Sequence, residues 1–422
     1  MVAVLAVWQV ITYRRDFYLI IDDWAFLGVR LDLLENAGVD DFLLRRHNEH
    51  LMGGMVLWDV GIAKMFGLRD YTPWVVSVQI ANALVAWITW RFAARIGVPR
   101  RAAACVCPFL IAWGPFDRVG YWAPEAIFGI TLALVISQFA LTALSDESRR
   151  QDVVGALLGT LAVFIQSICV VVSPITVIVL AMKRRWISAL IAMTPLVAYI
   201  SWYLTYQKRD DAYRWDIGGS YPQVRDIGLF FDFTWHTLSR TIWQSANAPI
   251  AALLIVLIVS GSVHLWRQGG ERRIILISAV TASCIYLAGF TWSRGFVTLR
   301  TFQIEVPSRY ASVIAILLLP IAAVGLARIC APVRAKLALS KRAVAVIGVT
   351  SLVVVFTFNT YQRFDSHDTD MEIAELARNT IFVAVDDPEL ASKPQADFVF
   401  GESVFFDLIN SDLLRFKRLG WL

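Results

Sequence analysis

Asp22 and Asp23 stand side by side in Tyr18-Leu19-Ile20-Ile21-Asp22-Asp23-Trp24, directly after the chain's first apolar stretch. A carboxylate at a bilayer boundary is costly unless it is solvated or used, so this pair is the first candidate for chemistry. Within hydrogen-bond reach of an acceptor hydroxyl, either acid would act as a general base, a role commonly worth about 10² to 10⁴ in rate. Adjacent side chains point in different directions on a helix or a strand, so one acid can be the base while its neighbour orients it. A second role open to Asp22 is capping the segment that starts at Trp24.

Three further sets of residues surround that pair. His47-Asn48-Glu49-His50 lies in the polar stretch that follows. His47, Glu49 and His50 can hydrogen-bond the hydroxyls or the phosphate of a polar substrate, the preferred reading. Divalent-metal ligation and plain interfacial polarity are the other two, and His-x-x-His alone is a weak metal signal. Arg294, Arg300 and Arg309 flank the segment before Tyr310, with Arg118 in a shorter loop. A guanidinium at head-group level matches a lipid phosphate through two parallel hydrogen bonds, although Arg outnumbers Lys 32 to 7, so interfacial anchoring stays open. Trp122 and Glu125 flank Pro124 at the start of an apolar run, where Glu125 either favours the helix dipole or lines a cavity.

The elements that must position these residues are membrane helices. Hydrophobic residues make up 57% of the 422, only 17% are charged, and mean hydropathy is +0.59. That composition excludes a water-soluble enzyme and implies no nucleic-acid partner. Apolar runs long enough to cross a hydrocarbon core of about 30 Å occur at Trp74–Trp90, Ala123–Leu144, Val153–Val172, Ile187–Leu204, Ile250–Trp266, Ile274–Trp292, Ala311–Ala327 and Val344–Phe358. Shorter runs at Val2–Thr12, Ala102–Trp113 and Ile175–Met182 read as shortened or shielded crossings, giving about 11 transmembrane helices.

With the N-terminus cytoplasmic, the short inner connections carry 17 basic residues and the short outer ones 4. That contrast sets the orientation, and it requires Val153–Met182 to turn back at Ser173-Pro174. Residues 1–358 then form a transmembrane domain with outer loops 13–73, 205–249 and 293–309, and Asp22, Asp23 and the His loop face the extracytoplasmic side. Val224–Trp243 reads as an aromatic-rich helix lying in the interface. Residues 359–422 form a small acidic extracytoplasmic segment with 12 Asp/Glu against 6 Lys/Arg, a helix at Met371–Ala377 and short strands at Ile381–Val385 and Phe398–Phe400. The five cysteines fall in or beside apolar segments, so disulfides are not the scaffold.

This order of features resembles the GT-C superfamily of membrane glycosyltransferases, which includes protein mannosyltransferases and the lipid A aminoarabinose transferase. Asp22-Asp23-Trp24 falls where that superfamily has an acidic residue soon after its first helix, His47-Asn48-Glu49-His50 lies in the body of the same loop, and Trp122-Ala123-Pro124-Glu125 opens the fourth span. The resemblance covers the layout of about residues 1 to 330. It implies an all-α polytopic GT-C-like fold with membrane-parallel helices in the first outer loop, topped here by a small α/β cap. It also implies a polyprenyl-phosphate sugar as donor, with a glycan, lipid or protein as acceptor and membrane lipids around the chain. A single displacement on such a donor inverts the anomeric centre. No metal is assigned, although a divalent ion stays compatible with the His loop. The alternative is a multi-pass transporter or flippase for a lipid-linked or polar substrate, which would place charges deep in several helices rather than at one face.

Overall fold

Prolines open three of the helices that carry the fold, at Pro73, Pro124 and Pro174, where the missing N–H costs nothing because first-turn amides lack intrahelical partners. The computed structural model describes residues 2–16, 18–19, 22–47, 50–104, 122–206, 248–301, 308–336, 374–385 and 410–422, with single positions at 228, 231, 234 and 372.

The elements are α1 (Val2–Asp16), α2 (Asp22–Trp24), a π-helical turn (Ala25–Val29), α3 (Arg30–Asn36), α4 (Val39–Leu44), α5 (Gly53–Phe66), α6 (Thr72–Arg95) and α7 (Arg100–Ala104). They continue as α8 (Ala123–Thr142), α9 (Arg149–Ile165), a 3-10 turn (Ser167–Val171), α10 (Ser173–Met182), α11 (Trp186–Ala192) and α12 (Thr194–Tyr206). The last are α13 (Ala248–Gln268), α14 (Gly270–Thr301), α15 (Ser308–Lys336), a helical stretch at 374–385, and α16 (Asn410–Arg418).

Among the described residues four helices are long and apolar enough to cross a membrane: Thr72–Arg95, Trp186–Tyr206, Gly270–Gly289 and Val313–Ala331. Shorter apolar helices at Ala126–Thr142, Ser173–Met182 and Ala252–Gln268 pack among them. Helix α15 is the axis of the bundle, touching α6, α8, α13 and α14. Its crossing with α13 is backbone-to-backbone. A Cβ added at Gly261 or Gly325 would run into a carbonyl of the facing helix, so the apposed glycines allow the contact.

The bundle has two chemically different ends. At one, cationic side chains cap the orphan carbonyls that finish α8: Lys183 Nζ donates to Ala143 O (2.6 Å), and Arg185 donates to Thr142 O (2.8 Å) and Ser145 O (3.0 Å). Arg95 reaches Leu144 O at the same end. The buried Asp152 in the first turn of α9 pairs with Arg185 at 3.2 Å and accepts from Ser188 Oγ at 2.7 Å. Lys183 also meets Glu271 in the first turn of α14 at 3.2 Å. The starts of α9, α11 and α14 and the end of α10 therefore meet at this basic end. The opposite end holds Trp122, Thr72 and the helices of the first long loop.

The chain does reverse between α9 and α10, as the charge pattern requires, but the helix ends earlier than the apolar run suggests. It stops at Ile165, and Ser167 N donates to Leu51 O (3.1 Å) while Leu51 N donates to Ser167 Oγ (3.2 Å). Tertiary bonds to the first loop replace the helical ladder there.

Two other expectations are corrected. Helix α14 runs unbroken for 32 residues, about 48 Å at 1.5 Å per residue, so Ser293, Arg294 and Arg300 lie on a helix rather than in a loop. Ile381–Val385 is helical, within the stretch 374–385, because Ala374, Ala377, Ile381 and Val385 bury one face at a spacing of three and four residues. Among the described residues of 359–422, those at 372, 374–385 and 410–418 are helical and none is in a strand. The proposed interfacial helix at Val224–Trp243 beyond its three single positions, the runs Val344–Phe358 and 105–113, and Phe398–Phe400 lie outside the described residues.

Candidate active site

The start of α6 is fixed locally. Asp70 Oδ1 accepts from Thr72 N (2.9 Å) and Thr72 Oγ1 (2.7 Å), closing a turn that leads into Pro73. That turn sets Tyr71 and Trp74 side by side, their rings stacked with centroids 5.9 Å apart and planes 5° apart. Both are buried.

Two carboxylates are buried around this stack. Trp74 Nε1 donates to Asp59 Oδ1 at 3.2 Å, tying α6 to α5. Trp122 Nε1 donates to Asp23 Oδ2 at 3.0 Å, joining the residue just before α8 to α2 across 99 residues of sequence. Asp23 and Asp59 have no solvent-accessible surface. A bond from an indole N–H to a carboxylate is charge-assisted, and it offsets part of the cost of burying each acid. The Tyr71 phenol is pushed well above its ordinary pKa of 10.0, first by burial and then by the charges of Asp23 and Asp59. It remains a protonated donor throughout the neutral range, with both acids in its field.

The residues around α2 hold it from the other side. Asp23 opens into the fully buried run Trp24 to Leu27. The Arg30 guanidinium, also without accessible surface, donates to the carbonyls of Asp41 (3.2 Å), Phe42 (3.1 Å) and Arg45 (2.7 Å), which pins α4 beside α3. Trp202 Nε1 donates to Leu44 O at 2.7 Å and brings the end of α12 to the same place.

The backbones of His47 and His50 pair, His47 N donating to His50 O (2.9 Å) and His50 N to His47 O (3.0 Å). The His47 ring packs on Phe26 with centroids 4.4 Å apart and is buried, so it sits inside the loop against the π-helical turn, while His50 is half-buried. Among the described residues no three His, Cys, Asp or Glu side chains gather into a metal-ligand set.

Of the candidate residues, Asp23, Trp122, His47 and His50 are thus brought into one body with the first loop. Asp22 opens α2, Glu125 lies in the first turn of α8, Arg294 and Arg300 lie on α14, and Arg309 is the second residue of α15. Their side chains, and Glu49 and Arg118 entirely, lie outside the described residues. Sequence reasoning missed Asp59, Tyr71, Trp74 and Arg30. Asp59 carried a usable signal, an acid within the apolar run Met55–Ile62, the pattern that marked Asp22 and Asp23.

No protein-family model matches the chain, and no curated protein matches it in sequence. Its fold does match solved structures. ArnT from Cupriavidus metallidurans in the apo state aligns with a TM-score of 0.55 at 16% identity, covering 98% of this chain and 83% of that one. A structure of the same protein bound to undecaprenyl phosphate aligns with a TM-score of 0.46 at 13% identity, over 100% and 74% of the two chains. The chain therefore has an ArnT-like helical membrane fold, the layout expected from the GT-C resemblance.

Proposed function

We propose that this protein is a membrane glycosyltransferase that moves a sugar from a polyprenyl-phosphate donor to a glycan, lipid or protein acceptor at the extracytoplasmic face, inverting the anomeric centre. The observation that carries the reading is the Asp23 carboxylate, fully enclosed and held by the Trp122 indole where the first loop meets the starts of α6 and α8, in a chain with the ArnT fold. The orientation rests on the 17 basic residues of the inner connections against 4 outside.

The reaction needs little from the protein at the leaving group, because a lipid phosphate already departs readily. The acceptor hydroxyl must lose a proton as its oxygen attacks the anomeric carbon. The bond from that carbon to the phosphate oxygen breaks, and the electron pair leaves with the lipid phosphate. Asp23 is committed to its buried contact with Trp122. Its neighbour Asp22, one step of about 100° around the helix, is our choice for the base that takes the proton. Asp23 orients that turn. Arg294, Arg300 and Arg309 are proposed to meet the donor phosphate; α14 starts at the basic end and spans the bundle, which supports a location of its far end near the first loop. His47, Glu49, His50, Trp122 and Glu125 are proposed to line the acceptor and donor sites.

The test is sugar transfer from a polyprenyl-phosphate donor in membranes carrying Asp22→Asn or Asp23→Asn. Asp22→Asn should lose about 10² to 10⁴ in rate. Full activity in both single variants and in the double would end the proposal, and movement of unmodified substrate across vesicles without a new glycosidic bond would establish a transporter instead.

A further inference from the structure

Helix α16 lies some 390 residues from the acidic pair in sequence, yet it packs on the residues that directly follow that pair. Phe416, fully buried, faces Trp24, the residue after Asp23, with ring centroids 6.4 Å apart, and stacks on Trp421 at 5.8 Å and 15°. The Arg415 guanidinium donates to the carbonyl of Gly28 in the π-helical turn (3.3 Å) and meets Asp32 (3.0 Å), Glu35 (3.0 Å) and Asp412 (3.4 Å). Gly28 leaves the space that Asp412 occupies: a Cβ there would stand 2.8 Å from Asp412 Oδ2 and 3.0 Å from its Cγ. Beyond the helix, Leu68 N donates to Trp421 O at 2.6 Å, and Tyr18 OH donates to Leu68 O at 2.7 Å.

These contacts fall on a defined set of targets. Trp24 leads into the π-helical turn that follows Asp23 and Gly28 lies within it, and π-helical turns are rare and frequent at functional sites. Leu68 lies between α5, which carries Asp59, and the Tyr71–Trp74 stack. Helix α16 and the residues just after it thus hold the segments that carry Asp23 and Asp59. Among the described residues their contacts are enclosed rings, a multiply paired guanidinium, Lys417 Nζ on the Val385 carbonyl (2.9 Å) and a backbone hydrogen bond, which describes a fixed support rather than a lid that opens each turnover.

We infer that α16 is a positioning strap for the acidic pair: Phe416 on Trp24 and Arg415 on the Gly28 carbonyl hold the rotation of the α2 turn that carries Asp22 and Asp23. This inference rests on the transferase reading. Phe416 and Arg415 are positioning residues; neither meets substrate.

Two measurements on the full-length protein test it. Phe416→Ala should lower kcat about tenfold with the donor KM held within about twofold, because misalignment of a base acts in the transition state, and Phe416→Leu should recover most of the loss. Equal loss of kcat and donor affinity, tracking thermal stability with no recovery by Leu, would overturn the strap. The second measurement is a lock. Cysteines in Gly28→Cys/Asp412→Cys would stand close enough for a disulfide, whose Cβ atoms are about 3.5–4.5 Å apart. Oxidation should leave the transfer rate of this double variant within about twofold of its own reduced form. Arrest on oxidation, reversed by reductant, would show that the helix must open, contrary to the inference. Should the unaltered protein make no glycosidic bond, the transferase reading fails by itself. Docking is then still read from limited proteolysis, since tail cleavage as fast in the native as in the denatured protein would overturn the strap.

Discussion

Trp122→Phe removes the indole N–H that meets Asp23 while keeping an aromatic ring in place. The bond is 3.0 Å long and both partners are enclosed, Trp122 retaining 2% of its surface and Asp23 none, so water does not step in for the lost donor. A hydrogen bond to a charged group contributes about 1.5–3 kcal/mol. If that energy aligns the acidic turn in the transition state, the transfer rate falls about 10- to 100-fold, at roughly 1.4 kcal/mol per decade. Trp74→Phe is the matched control, since it removes a 3.2 Å bond to the equally buried Asp59 and leaves the Asp23 bond intact. Both variants should unfold at lower temperature in detergent, and Trp122→Phe should lose more activity than Trp74→Phe. The assay is kcat and kcat/KM for sugar transfer beside thermal unfolding of the same preparations. A Trp122→Phe enzyme with wild-type rate and wild-type stability would refute the reasoning, and a larger rate loss in Trp74→Phe would move the centre of the site to Asp59.

Asp152→Ala should destabilise the protein by about 3–5 kcal/mol by leaving the Arg185 guanidinium without its carboxylate at the basic end, and an unchanged unfolding curve would show that pair to be dispensable. Gly325→Ala should cost about 1–3 kcal/mol through overpacking against the α13 backbone; a neutral outcome would mean that α13 and α15 stand further apart. Burial raises the Tyr18 phenol, and burial with two nearby acids raises Tyr71, above the ordinary value of 10.0. Their folded pKa values exceed the unfolded ones, so the stability they contribute is complete below pH 10.0 and is lost as pH climbs above it. Tyr18→Phe/Tyr71→Phe should therefore show a shallower alkaline loss of stability than the unaltered protein, and equal slopes would place both phenols in solvent. Cysteines introduced near residues 215 and 400 should react with an impermeant reagent on intact cells, and one near residue 270 only after the membrane is opened; the reverse would invert the orientation.

The residues that spoke plainly in the sequence are those whose signal is local. Apolar runs located the four long helices Thr72–Arg95, Trp186–Tyr206, Gly270–Gly289 and Val313–Ala331 because helix length against bilayer thickness is a property of consecutive residues, and Pro73, Pro124 and Pro174 marked helix starts by the same local logic. Asp22 and Asp23 were legible because a charge beside an apolar run is conspicuous wherever it folds. Partnership was not legible. Trp122 reads as an ordinary interfacial tryptophan until the fold brings it to Asp23, and Arg415 reads as one of many arginines until it lies on the Gly28 carbonyl. Ile381–Val385 has a strand-like composition, yet it is helical because burial of every third and fourth residue outweighs a β propensity that spans only about 1 kcal/mol. Composition and charge order determined that this chain lives in a membrane and which end of it is basic. Only the tertiary structure decided which acids are enclosed and what holds them, since those contacts join residues from 15 to 387 positions apart through packing that no local pattern encodes.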